Sequence, residues 1–169
     1  KYNLVNQNKK ISSIKKNIFI FDAKKNSNKL QRILKSLKFF KQEKFIVTYG
    51  DGISNVDIKS LLKFSKNSEC TITSFKTRSQ YGHVVLGKNN VLKKFIEKPF
   101  LKEPINIGFY VFKKNIILKN STKNIDLEDS LLPKLIKRTK IKSYLHKGYF
   151  YSVDNQKDLD QLKKIYGQK

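Results

Sequence analysis

The run Phe45-Ile46-Val47-Thr48-Tyr49 followed by Gly50-Asp51-Gly52 constrains this chain more than any other stretch. Its aromatic and β-branched residues read as a buried strand. The carboxylate between two glycines is left at the strand's exit, where open α/β sheets hold their ligands. Asp-Gly is also a strong hairpin signal. The next dozen residues read instead as a helix, with Ile58, Leu61, Leu62 and Phe64 near helical spacing and Ser54 or Asn55 available as its cap. Strand, loop and helix in this order make Asp51 a candidate metal ligand. Glu97-Lys98-Pro99 and Ser152-Val153-Asp154-Asn155 each lie beside a strand-like run, so three distant stretches could converge on one pocket.

The remaining pattern alternates in the same way. After a polar opening stretch, residues 17–21 read as a buried strand closed by a turn over 22–28. Residues 29–40 carry Leu30, Ile33, Leu34, Leu37 and Phe40 at helical spacing, with the lysines as a solvated face. A strand at 45–49, a helix at 57–66 and a strand at 70–75 come after it, a rhythm that predicts right-handed parallel crossovers. Residues 83–86 and 91–96, joined by Gly87-Lys88-Asn89-Asn90, predict a hairpin, and 105–112 a further strand. A short helix from Asn115 comes next, then one over 127–136, capped by Asp126 and with Pro133 near its first turn. Strands at 141–145 and 149–153 and a helix at 159–166 close the chain. The fold class read from this is α/β: one domain over residues 1–169 with a Rossmann-like mixed sheet, mostly parallel with an antiparallel part.

Charge decides between two kinds of partner. Lysine and arginine number 37 against 13 acidic residues, a formal charge of +24 that draws polyanions. Yet only Arg32, Arg78 and Arg138 are arginines, the residues that make bidentate contacts, and the lysines are spread over every segment. Specific nucleic-acid recognition is therefore not expected, while nucleotides and sugar phosphates would be steered in by the same field. The competing reading is a basic RNA- or polyanion-binding protein that uses Phe19, Phe21, Tyr49 and Phe75 as stacking platforms. Cys70 has no second cysteine to pair with and reads as a small core residue. The apolar runs are too short for a membrane span and the chain opens on polar residues, which predicts a cytoplasmic protein with no membrane partner. A homo-oligomer is compatible with the sequence. Because the chain contains no methionine, a segment preceding Lys1 is expected.

Asp154 comes after an aromatic strand and precedes a helix, so it reads either as an N-cap or as a metal ligand. In Glu97-Lys98-Pro99 the proline predicts extended geometry at Lys98, with Glu97 and Lys98 on opposite sides of the chain. One could then reach a ligand hydroxyl and the other a phosphate, although a charged strand end before proline is also ordinary. Asn106-Ile107-Gly108 reads either as a bulge or as a close-approach point with an amide able to read hydroxyls. His83 and His146 lie in alternating runs without ligand-spaced partners and read as structural or surface residues.

Taken in order, residues 45–52, Tyr81-Gly82, residues 95–99, 106–112, 127–135 and 148–159 resemble the sugar-phosphate nucleotidyltransferases. The strand-end Tyr-Gly-Asp-Gly and the aromatic segment before Asp154 look most like the glucose-1-phosphate cytidylyltransferases. The resemblance implies a GT-A-type Rossmann-like fold and transfer of a nucleotidyl group from a nucleoside triphosphate, CTP by preference, to a sugar 1-phosphate, glucose 1-phosphate by preference. It implies Mg²⁺ on Asp51 and Asp154, with Lys98 completing the catalytic set on the sugar-side phosphate. Glu97 would hold sugar hydroxyls, and Gly82, Asn106 and Gly108 would line the sugar pocket. The family's opening glycine-rich loop, with its catalytic arginine, and the lysine-bearing segment after it have no counterpart here. Residues 22–29, at the family's loop before a helix, carry Ala, Lys, Asn and Ser rather than threonine and glycines. The expectation is an N-terminally truncated domain, lacking its first βα unit and inactive alone, that keeps the sugar and metal half of the site. A catalytically dead relative that binds a sugar phosphate or a protein partner is the alternative.

Overall fold

Among the described residues, three of the four strands of the central sheet run the same way, and the fourth is inserted against them. The structure, a computed structural model, describes residues 23, 25–39, 41–122 and 125–167; the strand expected at 17–21 lies outside them. The sheet has the order β1 (Lys44–Thr48), β6 (Ile105–Lys113), β3 (Cys70–Phe75), β7 (Ile141–His146). Strand β6 is antiparallel to both β1 and β3, and β3 is parallel to β7. The α/β mixed sheet is as expected. The consecutive strands β1 and β3 share a direction but are not neighbours, because β6 pairs with both.

Alternation along the strands puts Phe45, Cys70, Tyr110 and Phe112 into one core with Leu30, Ile33 and Leu37 and with Ile117, Leu127, Leu131 and Leu135. Cys70 is fully buried, and burial pushes its thiol up to about 12. Helix α1 (Lys29–Ser36) starts in a capping box: Asn28 accepts from the Gln31 N–H at 2.9 Å, and the Gln31 side chain accepts from the Asn28 N–H at 3.1 Å. It continues as a 3₁₀ turn, Leu37–Phe39, that buries Leu37. The helix after β1, α2 (Ile58–Phe64), is capped by Asp57, not by Ser54 or Asn55 as expected. Phe64 of α2 sits edge-on to Tyr144 of β7 at 5.4 Å, so α2 packs over that edge of the sheet.

The segment after the short helix α3 (Lys114–Asn120) shows how Pro133 is accommodated. Asp126 caps a wide turn, Leu127–Leu131, whose Leu131 N–H reaches back five residues to the Asp126 carbonyl at 3.0 Å. Helix α4 (Leu132–Arg138) then begins with Pro133 in its first turn, where a missing N–H costs nothing.

Two ribbons stand off the sheet. Strands β4 (His83–Leu86) and β5 (Leu92–Ile96) form the expected hairpin, its connection turned by Asn89 and Asn90 at positive φ. The second ribbon is unrelated to any hairpin: β2 (Gly52–Ser54) pairs antiparallel with β8 (Phe150–Ser152), almost a hundred residues later. Helix α5 (Gln156–Tyr166) comes after it. Among the described residues no helix is long and apolar enough to cross a membrane.

Candidate active site

Strand β1 ends at Thr48 and delivers Tyr49-Gly50-Asp51 to the start of the β2·β8 ribbon. Because Gly52 is opposite Ser152, Asp51 and Asp154 leave the same end of this ribbon, one from each strand. The Val153 N–H donates to the Asp51 carbonyl at 2.9 Å and closes the pair of strands there. Both aspartates line one cavity of about 830 Å³. The hairpin reading of Asp51-Gly52 thus gives way to a ribbon assembled from distant segments.

The cap reading of Asp154 fails on geometry. Asn155 takes that position, accepting from the Asp158 N–H at 3.1 Å, and Asp158 returns a carboxylate oxygen to the Asn155 N–H at 3.2 Å. Neither the Asp51 nor the Asp154 carboxylate has a hydrogen-bond or ion-pair partner among the described residues, and both are exposed. No group of three metal-ligating side chains exists among the described residues. Two open carboxylates without a third fit Mg²⁺, which takes one or two carboxylates and completes its shell with water and phosphate oxygens.

The same cavity is also lined by Lys29 and Arg32 of α1 and by Asn106 and Gly108 of β6. Gly108 lies at the centre of a bulge: Ile72 pairs with Tyr110 and Ser74 with Asn106, so β3 has one residue, Thr73, where β6 has three, Ile107, Gly108 and Phe109. Its φ is +74°, its N–H donates to Asn106 Oδ1 at 3.2 Å, and a Cβ there would lie 2.6 Å from Tyr49 Cδ2. The bulge reading is correct, and the group that comes close to the glycine is the Tyr49 ring. Asn106 in turn donates to the Tyr110 hydroxyl.

A polar network anchors this wall. Tyr110 donates to Glu128 Oε1 at 3.2 Å, the Tyr49 and Tyr110 hydroxyls are 3.1 Å apart, and Lys29 Nζ meets Glu128 Oε1 at 3.1 Å while standing 4.8 Å over the Tyr49 ring. Burial alone would lower the Lys29 pKa, but the hydrogen bond and charge of Glu128 outweigh it and raise it, so the ammonium is held charged at the cavity. Burial raises the Tyr110 phenol, which stays a neutral donor. Lys29 and Arg32 escape a reading that treats helix lysines as solvated. A signal was present: Lys29 lies one turn before the buried Ile33 and so on its side of the helix.

A second cavity of about 450 Å³ shares Gln80, Phe150 and Asp154 with the first and runs on to Arg78 and Gln161. Asp154 therefore stands at the junction. Gly82, Glu97 and Lys98 line neither cavity; they gather at the base of the β4·β5 hairpin, where a Cβ on Gly82 would come to 3.0 Å from Glu97 Oε2. Two expectations for this tripeptide are overturned. Lys98 has φ +44° rather than extended geometry, and its ammonium is 3.9 Å from Glu97 Oε1, on the same side. Proline disfavours the right-handed helical region for the residue before it. The Arg78 guanidinium on the Lys98 carbonyl (3.3 Å) and the Ser79 N–H on the Pro99 carbonyl (2.8 Å) then turn the segment back on residues 77–79.

The aromatics offered as stacking platforms are engaged elsewhere. Phe75 packs on His146 and Phe150 with centroids 6.1 and 6.2 Å away, and Tyr49 closes on Gly108 and Tyr110. Phe19 and Phe21 lie outside the described residues.

Comparison with known proteins gives the family and the fold. Residues 2–162 match the model of the nucleotidyl transferase family. The chain is 29% identical to the "Probable glucose-1-phosphate cytidylyltransferase" of Bacillus subtilis, over 81% of this chain and 55% of that protein. It is 26% identical to the mannose-1-phosphate guanylyltransferase catalytic subunit beta of Drosophila melanogaster, over 75% of this chain and 36% of that one. The fold is similar to the crystal structure of HddC from Yersinia pseudotuberculosis, with TM-score 0.70 and 23% identity, covering 98% of this chain and 75% of that chain. The chain thus spans about half the length of the first relative and just over a third of the second.

Proposed function

The chain belongs to the nucleotidyl transferase family, and on that premise we propose that it provides the metal and sugar side of a site moving a cytidylyl group from CTP to glucose 1-phosphate, with release of pyrophosphate. The observation that carries this reading is the single cavity shared by Asp51 and Asp154 at one end of the β2·β8 ribbon. Asp51 and Asp154 would hold Mg²⁺. Held by these two carboxylates, Mg²⁺ would supply charge stabilisation at the α-phosphate. The protein's own part is positioning and electrostatics. Lys29 and Arg32 line the same cavity as the acids and would offset the charge of a polyphosphate. Asn106, held by its bond to Tyr110, would offer its amide to a sugar hydroxyl beside the Gly108 bulge, whose near side is filled by the Tyr49 ring. Glu97 and Lys98 are assigned to the sugar hydroxyls and the sugar-side phosphate, reached from the hairpin base.

Calorimetric titration of the chain with CTP or GTP and with glucose or mannose 1-phosphate, each with and without Mg²⁺, tests the reading. CTP and glucose 1-phosphate should bind only with the metal, and Asp51→Asn or Asp154→Asn should each weaken binding about tenfold or more. Metal-independent binding indifferent to both substitutions would overturn the site. Preference for GTP and mannose 1-phosphate would overturn the cytidylyl and glucose assignment.

A further inference from the structure

His146, the last residue of β7, is 7% exposed and belongs to neither cavity. Its Nε2 lies 3.2 Å from Ser54 Oγ, 3.1 Å from Asn55 Oδ1 and 3.2 Å from the Tyr149 carbonyl. Asn55 Oδ1 also accepts the Tyr149 N–H at 2.8 Å, which fixes that atom as the amide oxygen, since a backbone N–H only donates. Nε2 therefore faces two pure acceptors and carries the proton. The Ser54 hydroxyl donates to the Tyr149 carbonyl at 2.7 Å. A Cβ on Gly148 would run into Asn55 Oδ1 and come to 2.7 Å from His146 Cε1, so the loop closes over the ring only with glycine.

All these contacts sit at one end of the β2·β8 ribbon, beside the Ser54–Phe150 pair, and the two aspartates leave the other end, beside the Gly52–Ser152 pair. Three paired residues do not hold a ribbon by themselves, and a slip by one residue would send alternate side chains to the opposite face. We propose that His146 is a positioning residue, whose Nε2–H clasps Asn55 and the Gly148 turn and thereby fixes the ribbon register that brings Asp51 and Asp154 to one cavity. Only its consequence for metal binding rests on the function proposed above.

The test measures amide exchange and Mn²⁺-induced line broadening by NMR in His146→Phe, His146→Gln and Gly148→Ala. Phenylalanine keeps a ring against Phe75 and loses the hydrogen bonds; glutamine restores a donor at the position of Nε2; alanine breaks the clasp sterically and decides the matter should the phenylalanine variant fail to fold. In His146→Phe and Gly148→Ala the Val153 amide should exchange at least about tenfold faster while β6 amides keep their protection, and the Mn²⁺ dissociation constant should rise about tenfold. His146→Gln should restore both. Unchanged Val153 protection, loss of protection spread over the whole sheet, or faster exchange with unaltered Mn²⁺ affinity would each overturn the proposal. Absence of Mn²⁺ broadening at Asp51 and Asp154 in the unsubstituted chain would sink the metal assignment instead, and Val153 exchange would still decide the clasp.

Discussion

At Gly108 two independent constraints fall on one residue. A backbone at φ +74° disfavours any side chain, and the space a Cβ would need is held by Tyr49 Cδ2 at 2.6 Å. Tyr49 cannot retreat cheaply, since its hydroxyl is bonded to Tyr110 and Lys29 stands over its ring. Gly108→Ala should therefore lower the unfolding free energy by about 2 kcal/mol, the left-handed penalty plus part of the overlap. Urea denaturation checks it, and a loss under about 0.5 kcal/mol would show that the bulge relaxes freely. The sequence pattern already marked Asn106-Ile107-Gly108 as bulge or close approach, but the partner that makes the glycine necessary, Tyr49, comes from another strand. Lys98 shows the opposite case: proline gave a local rule for extended backbone, and Lys98 departs from it at φ +44° where hydrogen bonds tie the segment to residues 77–79.

Elements were legible where a single period or cap decides them, and obscure where pairing does. The apolar spacing of 29–40 and the β-rich runs at 45–49, 70–75 and 105–112 reappear within a few residues of α1, β1, β3 and β6. That β6 would lie between β1 and β3 cannot be read from any of these runs, because strand order depends on long-range register. The start of α2 went astray for a similar reason. Ser54 and Asn55 look like caps, yet their side chains are spent on Tyr149 and His146, more than ninety residues away, and Asp57 takes the role. The Asp57 carboxylate accepts the Ser60 hydroxyl at 2.7 Å as well as the Lys59 and Ser60 N–H groups. The Ser60 hydroxyl, first among these bonds, holds its pKa below the ordinary carboxylate value of 3.8. A depressed folded pKa gives stability that is complete above the unfolded value and is lost as pH falls through the folded one. Thermal unfolding should accordingly show Asp57→Ala melting below the unsubstituted chain at neutral pH, with the gap narrowing below about pH 4. A gap that stays constant into acid would mean that the cap does not depend on the ionised carboxylate.

For the molecule as a whole, the excess of 37 basic over 13 acidic residues makes the net field strongly positive, with the lysines spread over every segment. Ion pairs absorb little of it: among the described residues, Lys29, Lys98, Lys113 and Lys163 are within pairing distance of a carboxylate. Lys44 shows the cost of crowding, its pKa lowered first by burial and then by Lys113. At physiological ionic strength exposed charges are screened beyond about 8 Å, so dispersed lysines act as separate weak phosphate contacts rather than as one groove. The cavity differs, because Lys29 and Arg32, tied to Glu128 and to the Ser27 carbonyl, line it together with Asp51 and Asp154. Polynucleotides should therefore bind without sequence preference and lose about a thousandfold or more in affinity between about 50 and 200 mM salt, if roughly six or more phosphates are engaged. Metal-dependent binding of CTP should fall far less over the same range, since the ligand would meet both signs of charge at close quarters. Fluorescence anisotropy with labelled RNAs of contrasting sequence, run beside the CTP titration, separates the two. Salt-resistant, sequence-selective RNA binding would move the chain to the nucleic-acid reading, because scattered lysines, with Tyr49 and Phe75 engaged by neighbouring side chains, supply no base-discriminating contacts.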